Sequence, residues 1–167
     1  MNIASMKQYM RHKDGTYVAF DMRQQSKEML DHFVEMNLGL DERIDPKTYH
    51  TTIIYSRSPV PEAEQFNGME IETMASVTGY EVFPTKTGEK CLVMRLSFPL
   101  AEKLNSILTR FGATSDYSEY KAHVTISYGY TGPEDTSNLP LPQFDLWFDK
   151  IDVAPLDVEF VPGNKED

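Results

Sequence analysis

The sequence has little cysteine and no long apolar run. Its single cysteine, Cys91, lies in the apolar run Cys91-Leu92-Val93-Met94 and is interpreted as a small buried residue rather than a reactive thiol. At 167 residues the chain needs no disulfide or metal for stability, so a reducing, cytoplasmic compartment is expected. The absence of an apolar run of about 18 residues and of an apolar signal core predicts no membrane span and no secretion signal.

Positive charge is also scarce. The chain carries 16 lysines and arginines against 26 aspartates and glutamates, a formal net charge of -10. Binding of duplex DNA or long RNA depends on basic side chains that neutralise phosphates. We therefore expect no long nucleic acid as a partner, whereas a small nucleotide in a locally positive cleft remains compatible with this composition.

A short motif occurs twice. The stretches YHTTIIYS (residues 49–56) and AHVTISY (residues 122–128) each contain His-x-Thr within β-branched and aromatic residues, which is typical of a strand. Because side chains alternate along a strand, His50 and Thr52 are expected on one face, and so are His123 and Thr125. A purely structural use of these histidines is the alternative, but two of the four histidines share the same hydroxyl offset and strand context.

The rest of the chain contains two similar successions of predicted elements, each a strand, a helix, the His-x-Thr strand and a closing strand. The first strands are predicted at residues 17–20 and 92–98, the helices from 24 to Gly39 and from Pro99 to Gly112, and the closing strands at 76–84 and 147–155. Such a repeat predicts two α+β lobes, each presenting its motif to a shared cleft.

The predicted bounds are 15–86 and 90–158 for the internal repeats, 15–160 for the single domain that they form, 1–14 for a lead-in segment and 161–167 for a polar tail. The lead-in is polar and basic and is expected to be loosely packed, with His12 as a surface charge. His32 is expected to be exposed on the first predicted helix.

The paired motif suits phosphodiester chemistry. A neutral imidazole accepts a proton near neutral pH and a charged one donates it, so two histidines can supply a base and an acid. A threonine hydroxyl can donate to a non-bridging phosphate oxygen and stabilise developing charge. A metal site is the weaker interpretation, because the motifs lack an acidic partner at zinc-motif spacing and the chain has no cysteine cluster. No metal and no cofactor are therefore expected.

In this chain the two His-x-Thr motifs lie 73 residues apart within a short sequence that carries an internal repeat. In these features the chain resembles the two-histidine (2H) phosphoesterase family. The stretches GTYVAF, YHTTIIYS and KAHVTISYG are most similar to the phage anti-CBASS branch, and the resemblance covers roughly residues 15–160. It implies catalytic roles for His50, Thr52, His123 and Thr125. It also implies an α+β, bilobal fold with two pseudo-symmetric lobes of antiparallel sheet and outer helices around a central cleft.

Strand parity suggests substrate contacts outside the motifs. Lys121 is expected on the same strand face as His123. Arg95 is expected on the face opposite to the apolar residues of its own strand. Both are therefore candidate phosphate contacts. Tyr17 and Trp147 are candidates for stacking on a base, with ordinary packing as the alternative for each. Tyr55 and Tyr128 follow the motifs at an odd offset and are expected in the core.

The resemblance implies a metal-independent phosphodiesterase that opens 3′–5′ linkages of cyclic di- or trinucleotide signals and thereby blocks antiphage CBASS immunity in the host cytoplasm. The alternatives are an RNA-end enzyme of the same family, acting on 2′,3′-cyclic or 2′–5′ linkages, and a non-catalytic protein that only binds cyclic nucleotides. The oligomeric state stays open at this point.

Overall fold

The computed structural model of the chain describes residues 3–156. The polar tail expected at 161–167 lies outside the described residues. Within them, the helices are α1 (Ile3–Arg11), α2 (Gln24–Asn37) and α3 (Pro99–Arg110), and the strands are β1 (Thr16–Met22), β2 (His50–Ser56), β3 (Glu70–Pro84), β4 (Lys90–Ser97), β5 (His123–Ser127) and β6 (Leu146–Pro155). Short 3₁₀ turns span Pro46–Thr48 and Pro61–Phe66.

The six described strands pair antiparallel in the order β2-β1-β6-β3-β4-β5. The two strands that begin with the motif histidines, β2 and β5, therefore lie at opposite ends of this order. They nevertheless approach one another, so the sheet brings its two ends together rather than extending flat. The predicted α+β fold with antiparallel sheet is confirmed.

The strand β3 joins the two halves of the sheet. It is 15 residues long, so its first part, up to Ala75, pairs with β6, while its second part, from Ser76, pairs with β4. The closing strand of the first repeat thus continues into the sheet of the second, and β6 returns to pair with β1. The two sequence repeats exchange their closing strands, which the repeat pattern did not predict.

The core lies on the face of the sheet opposite the motif histidines. Phe20, Phe98 and Phe148 are fully buried there and form one aromatic cluster, with ring centroids 5.2 Å apart for Phe20 and Phe98 and 4.8 Å apart for Phe98 and Phe148. Leu30 and Leu108 add the apolar sides of α2 and α3 to the same core. Burial of these large side chains stabilises the sheet from one side and leaves the other side to polar residues.

The start of the chain differs from its prediction. The expected loose lead-in is the helix α1, and His12, expected as a surface charge, is fully buried. Its Nε2 lies 2.6 Å from a carboxylate oxygen of Glu64, and its Nδ1 lies 3.1 Å from Oγ1 of Thr16. His12 is thus a structural histidine, because polar groups from two other parts of the chain satisfy both ring nitrogens.

The described residues include no helix long and apolar enough to cross a membrane.

The helix α2 ends as predicted, since Gly39 follows it with a φ of 56°, a conformation that favours glycine at the end of a helix. His32 on this helix is exposed, as expected.

Candidate active site

The two motif histidines are held in the same way. Nδ1 of His50 lies 2.7 Å from the carbonyl oxygen of Thr48, and Nδ1 of His123 lies 2.7 Å from that of Lys121. A carbonyl oxygen can only accept, so each Nδ1 carries the proton and donates it. A ring whose Nδ1 is fixed in this way exchanges protons through Nε2, which accepts when the ring is neutral and donates when the ring is charged.

The first motif is supported by Tyr17 of the neighbouring strand. Its hydroxyl lies 3.1 Å from Oγ1 of Thr52, and its ring meets that of His50 edge-on, with centroids 6.5 Å apart. Tyr17 lies on the strand face opposite to the buried Val18 and Phe20, as the sequence predicted. The structure therefore brings this candidate into contact with both residues of the first motif.

The second motif has an aromatic neighbour as well. The ring of Phe83, on β3, meets His123 at 90° with centroids 5.5 Å apart. Thr125 is buried, with 7% of its surface exposed. A groove opens beside this motif, and its lining residues are Phe83, Pro84, Thr85, Cys91, Val93, Tyr117, His123, Thr125 and Tyr128. Cys91 is buried, as predicted, and its position in this lining had no signal in the sequence.

Both motif strands contain a β-bulge at the same place. Along β2 the pairing passes from Thr52 to Ile54, and along β5 it passes from Thr125 to Ser127, so Ile53 and Ile126 are the extra residues. Each lies three residues after the motif histidine. An extra residue reverses the alternation of faces beyond it.

The bulges place Tyr55 and Tyr128 on the face opposite to the one expected, although Tyr128 is buried as expected. Beyond the bulge, Tyr55 turns to the face of His50 and Thr52, where it is half-exposed and meets Tyr17 edge-on at 6.5 Å. Tyr128 is buried, but it packs on Cys91 and Val93 and lines the groove beside His123. Simple alternation placed both tyrosines on the wrong face, because it assumed an unbroken strand.

Two candidate phosphate contacts meet next to the second motif. Arg95 on β4 pairs in register with His123, so both side chains leave the sheet on one face. Nη1 of Arg95 lies 3.1 Å from Oε1 of Glu81, and Nζ of Lys121 lies 3.6 Å from the same oxygen. Glu81 therefore binds two cations close to His123. These three side chains together carry one net positive charge, in a chain that is acidic as a whole.

Trp147 has different surroundings. The guanidinium of Arg23 lies over its ring at 5.1 Å from the centroid, and its backbone N–H donates to the hydroxyl of Ser26. These contacts join the start of β6 to the start of α2. The structure places Trp147 in a cation–π contact, and its stacking on a base stays a prediction.

Hydrogen-bond donors from other parts of the chain bind backbone carbonyls of both motif strands. The hydroxyl of Tyr120 donates to the carbonyl oxygen of Thr52 at 2.8 Å, and Nδ2 of Asn105 donates to that of Ile53 at 2.9 Å. At the other bulge, the backbone N–H of Ile44 donates to the carbonyl oxygen of Ile126 at 2.9 Å. Each bulge carbonyl thus receives a donor from the opposite half of the chain.

The sequence profile of the family described as Anti-CBASS protein Acb1 matches residues 14–162. The chain belongs to the anti-CBASS protein Acb1 family. The match includes both His-x-Thr motifs and every described strand, and it confirms the resemblance that the motifs indicated.

Relatives in this Acb1 family are phage proteins. The chain is 33% identical over 149 residues to Anti-CBASS protein Acb1 of Escherichia phage RB16, covering 87% of this chain and 82% of that protein. It is 29% identical over 152 residues to the protein of the same name from Vibrio phage KVP40, covering 90% and 93%. Among solved structures, E. coli LigT in complex with NADP+ is similar, with a TM-score of 0.55, 14% identity and coverage of 89% and 90%. The fold of this Acb1 family member is that of the 2H phosphoesterases.

Glu81 and Tyr120 are among the residues of the site that the sequence analysis did not predict. Glu81 could have been found from the tight turn at residues 85–89, which sets the register of β3 on β4 and places Glu81 diagonally opposite Arg95. Tyr120 had no such signal, because its contact with Thr52 joins residues 68 positions apart. Within the described residues, no group of three or more His, Cys, Asp or Glu side chains is arranged to hold a metal ion.

Proposed function

We propose that this chain is a metal-independent phosphodiesterase that opens 3′–5′ linkages in small cyclic di- or trinucleotides and so blocks CBASS immunity. The observation that carries the proposal is the matched pair of imidazoles, each on a His-x-Thr strand and each with Nδ1 bound to a backbone carbonyl two residues earlier. Membership in the anti-CBASS family supports the substrate class, and LigT, whose fold is similar, has been crystallised with a nucleotide, NADP+.

The proposed reaction uses His50 and His123 as an acid–base pair. One Nε2 accepts the proton of the ribose 2′-hydroxyl while its oxygen attacks the adjacent phosphorus and forms the P–O2′ bond. The P–O5′ bond breaks, and the other histidine, initially charged, gives its proton to the departing O5′. The first product is a linear nucleotide with a 2′,3′-cyclic phosphate, which water can then open.

Thr52 and Thr125 have the proposed role of phosphate contacts. Each hydroxyl stands two residues from its histidine on the same strand face, as the alternation of side chains requires. A hydroxyl that donates to a non-bridging oxygen stabilises the charge that develops as the new bond forms. Arg95 and Lys121, gathered by Glu81, supply the positive charge that an anionic substrate needs beside His123.

The proposal predicts which substrate is consumed. Wild-type protein, His50→Ala and His123→Ala are each incubated, with and without chelator, with one of three substrates: a cyclic dinucleotide, a 2′,3′-cyclic mononucleotide or a 2′–5′ oligoadenylate. We expect wild type to open the cyclic dinucleotide and both variants to leave it intact. Rapid-quench products should include a 2′,3′-cyclic phosphate.

Other outcomes would contradict specific parts of the proposal. Consumption of the mononucleotide or the oligoadenylate, with the dinucleotide intact, would assign the chain to RNA ends. Binding of the dinucleotide without any cleavage would make it a non-catalytic binder. Loss of cleavage on addition of chelator would overturn the metal-independent chemistry, and the absence of a cyclic phosphate would exclude attack by the 2′-hydroxyl.

A further inference from the structure

The two motif strands do not pair with each other, although both are needed for the proposed reaction. They lie at the two ends of the strand order, with four strands between them along the hydrogen-bonded sheet. A sheet twists and bends, so small angular changes between neighbouring strands accumulate over that path. Some other contact is needed to fix the distance between the motifs.

The segment between α3 and β5 makes such contacts with β2 and the residue that follows it. The backbone N–H of Thr114 donates to Oγ of Ser56 at 2.9 Å. Two nitrogens of Arg57 bind the carboxylate of Asp116 at 3.1 and 2.9 Å. This segment leads directly into His123, so it connects the end of the first motif strand with the start of the second.

The third contact reaches the first motif itself. Tyr120, three residues before His123, donates its hydroxyl to the carbonyl oxygen of Thr52 at 2.8 Å. Its ring packs against the main apolar core, which limits the movement of the hydroxyl. Burial raises the pKa of Tyr120 above its usual value, with a smaller contribution from Glu102, so the phenol stays protonated and remains a donor.

We propose that Tyr120 is a positioning residue that fixes the first His-x-Thr motif relative to the second. The inference rests on the proposed function, because it assigns Tyr120 a role in the shared site of the two histidines. Reactions between bound groups depend steeply on geometry, and a displacement of about 1 Å can lower the rate by about a hundredfold. Tyr120 acts through the backbone of Thr52 rather than through contact with substrate.

The chain offers a matched control in Tyr80. This residue also donates its hydroxyl to a backbone carbonyl, that of Pro140, at 2.7 Å, and burial likewise raises its pKa. Tyr80 pairs in register with Met94, whose side chain is buried in the core, and therefore faces away from the motifs. Tyr80→Phe removes one similar hydrogen bond without touching the proposed site.

The test compares Tyr120→Phe with Tyr80→Phe. We expect similar small falls in Tm for both variants, since each loses one comparable hydrogen bond. For Tyr120→Phe we expect kcat on a cyclic dinucleotide to fall by about tenfold with KM within twofold of wild type, because the chemical geometry changes while the binding groups remain. For Tyr80→Phe we expect both constants to stay within twofold. In a His123→Ala background, Tyr120→Phe should lower the rate by less than twofold.

A second measurement does not depend on turnover. Hydrogen exchange followed by mass spectrometry should show faster exchange in residues 113–122 of Tyr120→Phe than in wild type or Tyr80→Phe. The inference is overturned if this exchange is unchanged, if Tyr120→Phe retains kcat within twofold, or if Tyr80→Phe loses as much. A wild-type protein that cuts none of the three substrates would instead contradict the proposed function, and the two failures are therefore distinguishable.

Discussion

His50 and His123 make the same backbone contact, a hydrogen bond of 2.7 Å from Nδ1 to the carbonyl oxygen two residues earlier. This contact fixes both the tautomer and the orientation of each ring before any substrate binds. Since the ring nitrogens are distinct in acid–base chemistry, the same nitrogen, Nε2, exchanges the proton on both sides of the site in the proposed reaction. The duplication of the motif is thus also a duplication of its geometry.

The first prediction concerns the two histidines. We expect His50→Ala and His123→Ala each to lower kcat on a cyclic dinucleotide by about a hundredfold or more, as removal of a general acid or base does. His32→Ala is the matched control, because His32 is exposed on α2. It should retain the wild-type rate, and a near-normal rate in either motif variant would remove the role assigned to that histidine.

The second prediction compares two adjacent threonines. Thr52→Val should lower kcat by about tenfold or more, because it removes the hydroxyl proposed to contact the phosphate and held 3.1 Å from that of Tyr17. Thr51 points into the core, is fully buried, and its Oγ1 has no partner among the described residues. Thr51→Val should therefore keep activity and leave Tm equal or higher, since it removes an unpaired buried hydroxyl.

Steady-state kinetics and thermal melting of both variants check this pair. Equal losses of activity in the two variants would show that the alternation of faces along β2 is not what places the hydroxyl of Thr52.

The third prediction concerns charge beside His123. Arg95→Gln and Lys121→Gln should each raise KM for a cyclic dinucleotide by about five- to tenfold, with a smaller effect on kcat, because each removes a charged phosphate contact. The wild-type KM should rise with ionic strength, and more steeply than that of either variant. Lys103→Gln, an exposed change on α3, is the control. An unchanged KM in both site variants would exclude these cations as substrate contacts.

The fourth prediction concerns the buried His12. His12→Ala should lower the free energy of unfolding by about 2 kcal/mol, because it removes a fully buried side chain and takes one hydrogen bond from each of Glu64 and Thr16. Its kcat should remain within twofold of wild type, since His12 follows α1, its partners lie at the start of β1 and in the turn at Pro61–Phe66, and none of the three belongs to the proposed site. Denaturant unfolding measures the change, with the exposed Lys13→Ala as the control. A loss of activity without a loss of stability would contradict the structural role.

Much of the site could be predicted because its signals are local. The motif strands and the orientation of Tyr17 and Arg95 follow from side-chain alternation over a few residues, and both α2 and α3 follow from apolar spacing and glycine endings. The same rule failed for Tyr55 and Tyr128. A single extra residue at Ile53 and at Ile126 reverses the faces, and nothing in either stretch marks these isoleucines as bulges.

The sequence by itself determined that this protein carries two matched imidazole and hydroxyl pairs on strands, because that property depends on residues within one short stretch. The tertiary structure decided the rest: the exchange of closing strands through the long β3, the burial of His12, the meeting of Glu81 with two cations, and the contact of Tyr120 with Thr52. These features join residues that lie far apart in the chain. Their contacts depend on strand pairing and packing across the whole sheet, which the local pattern of residue types does not specify.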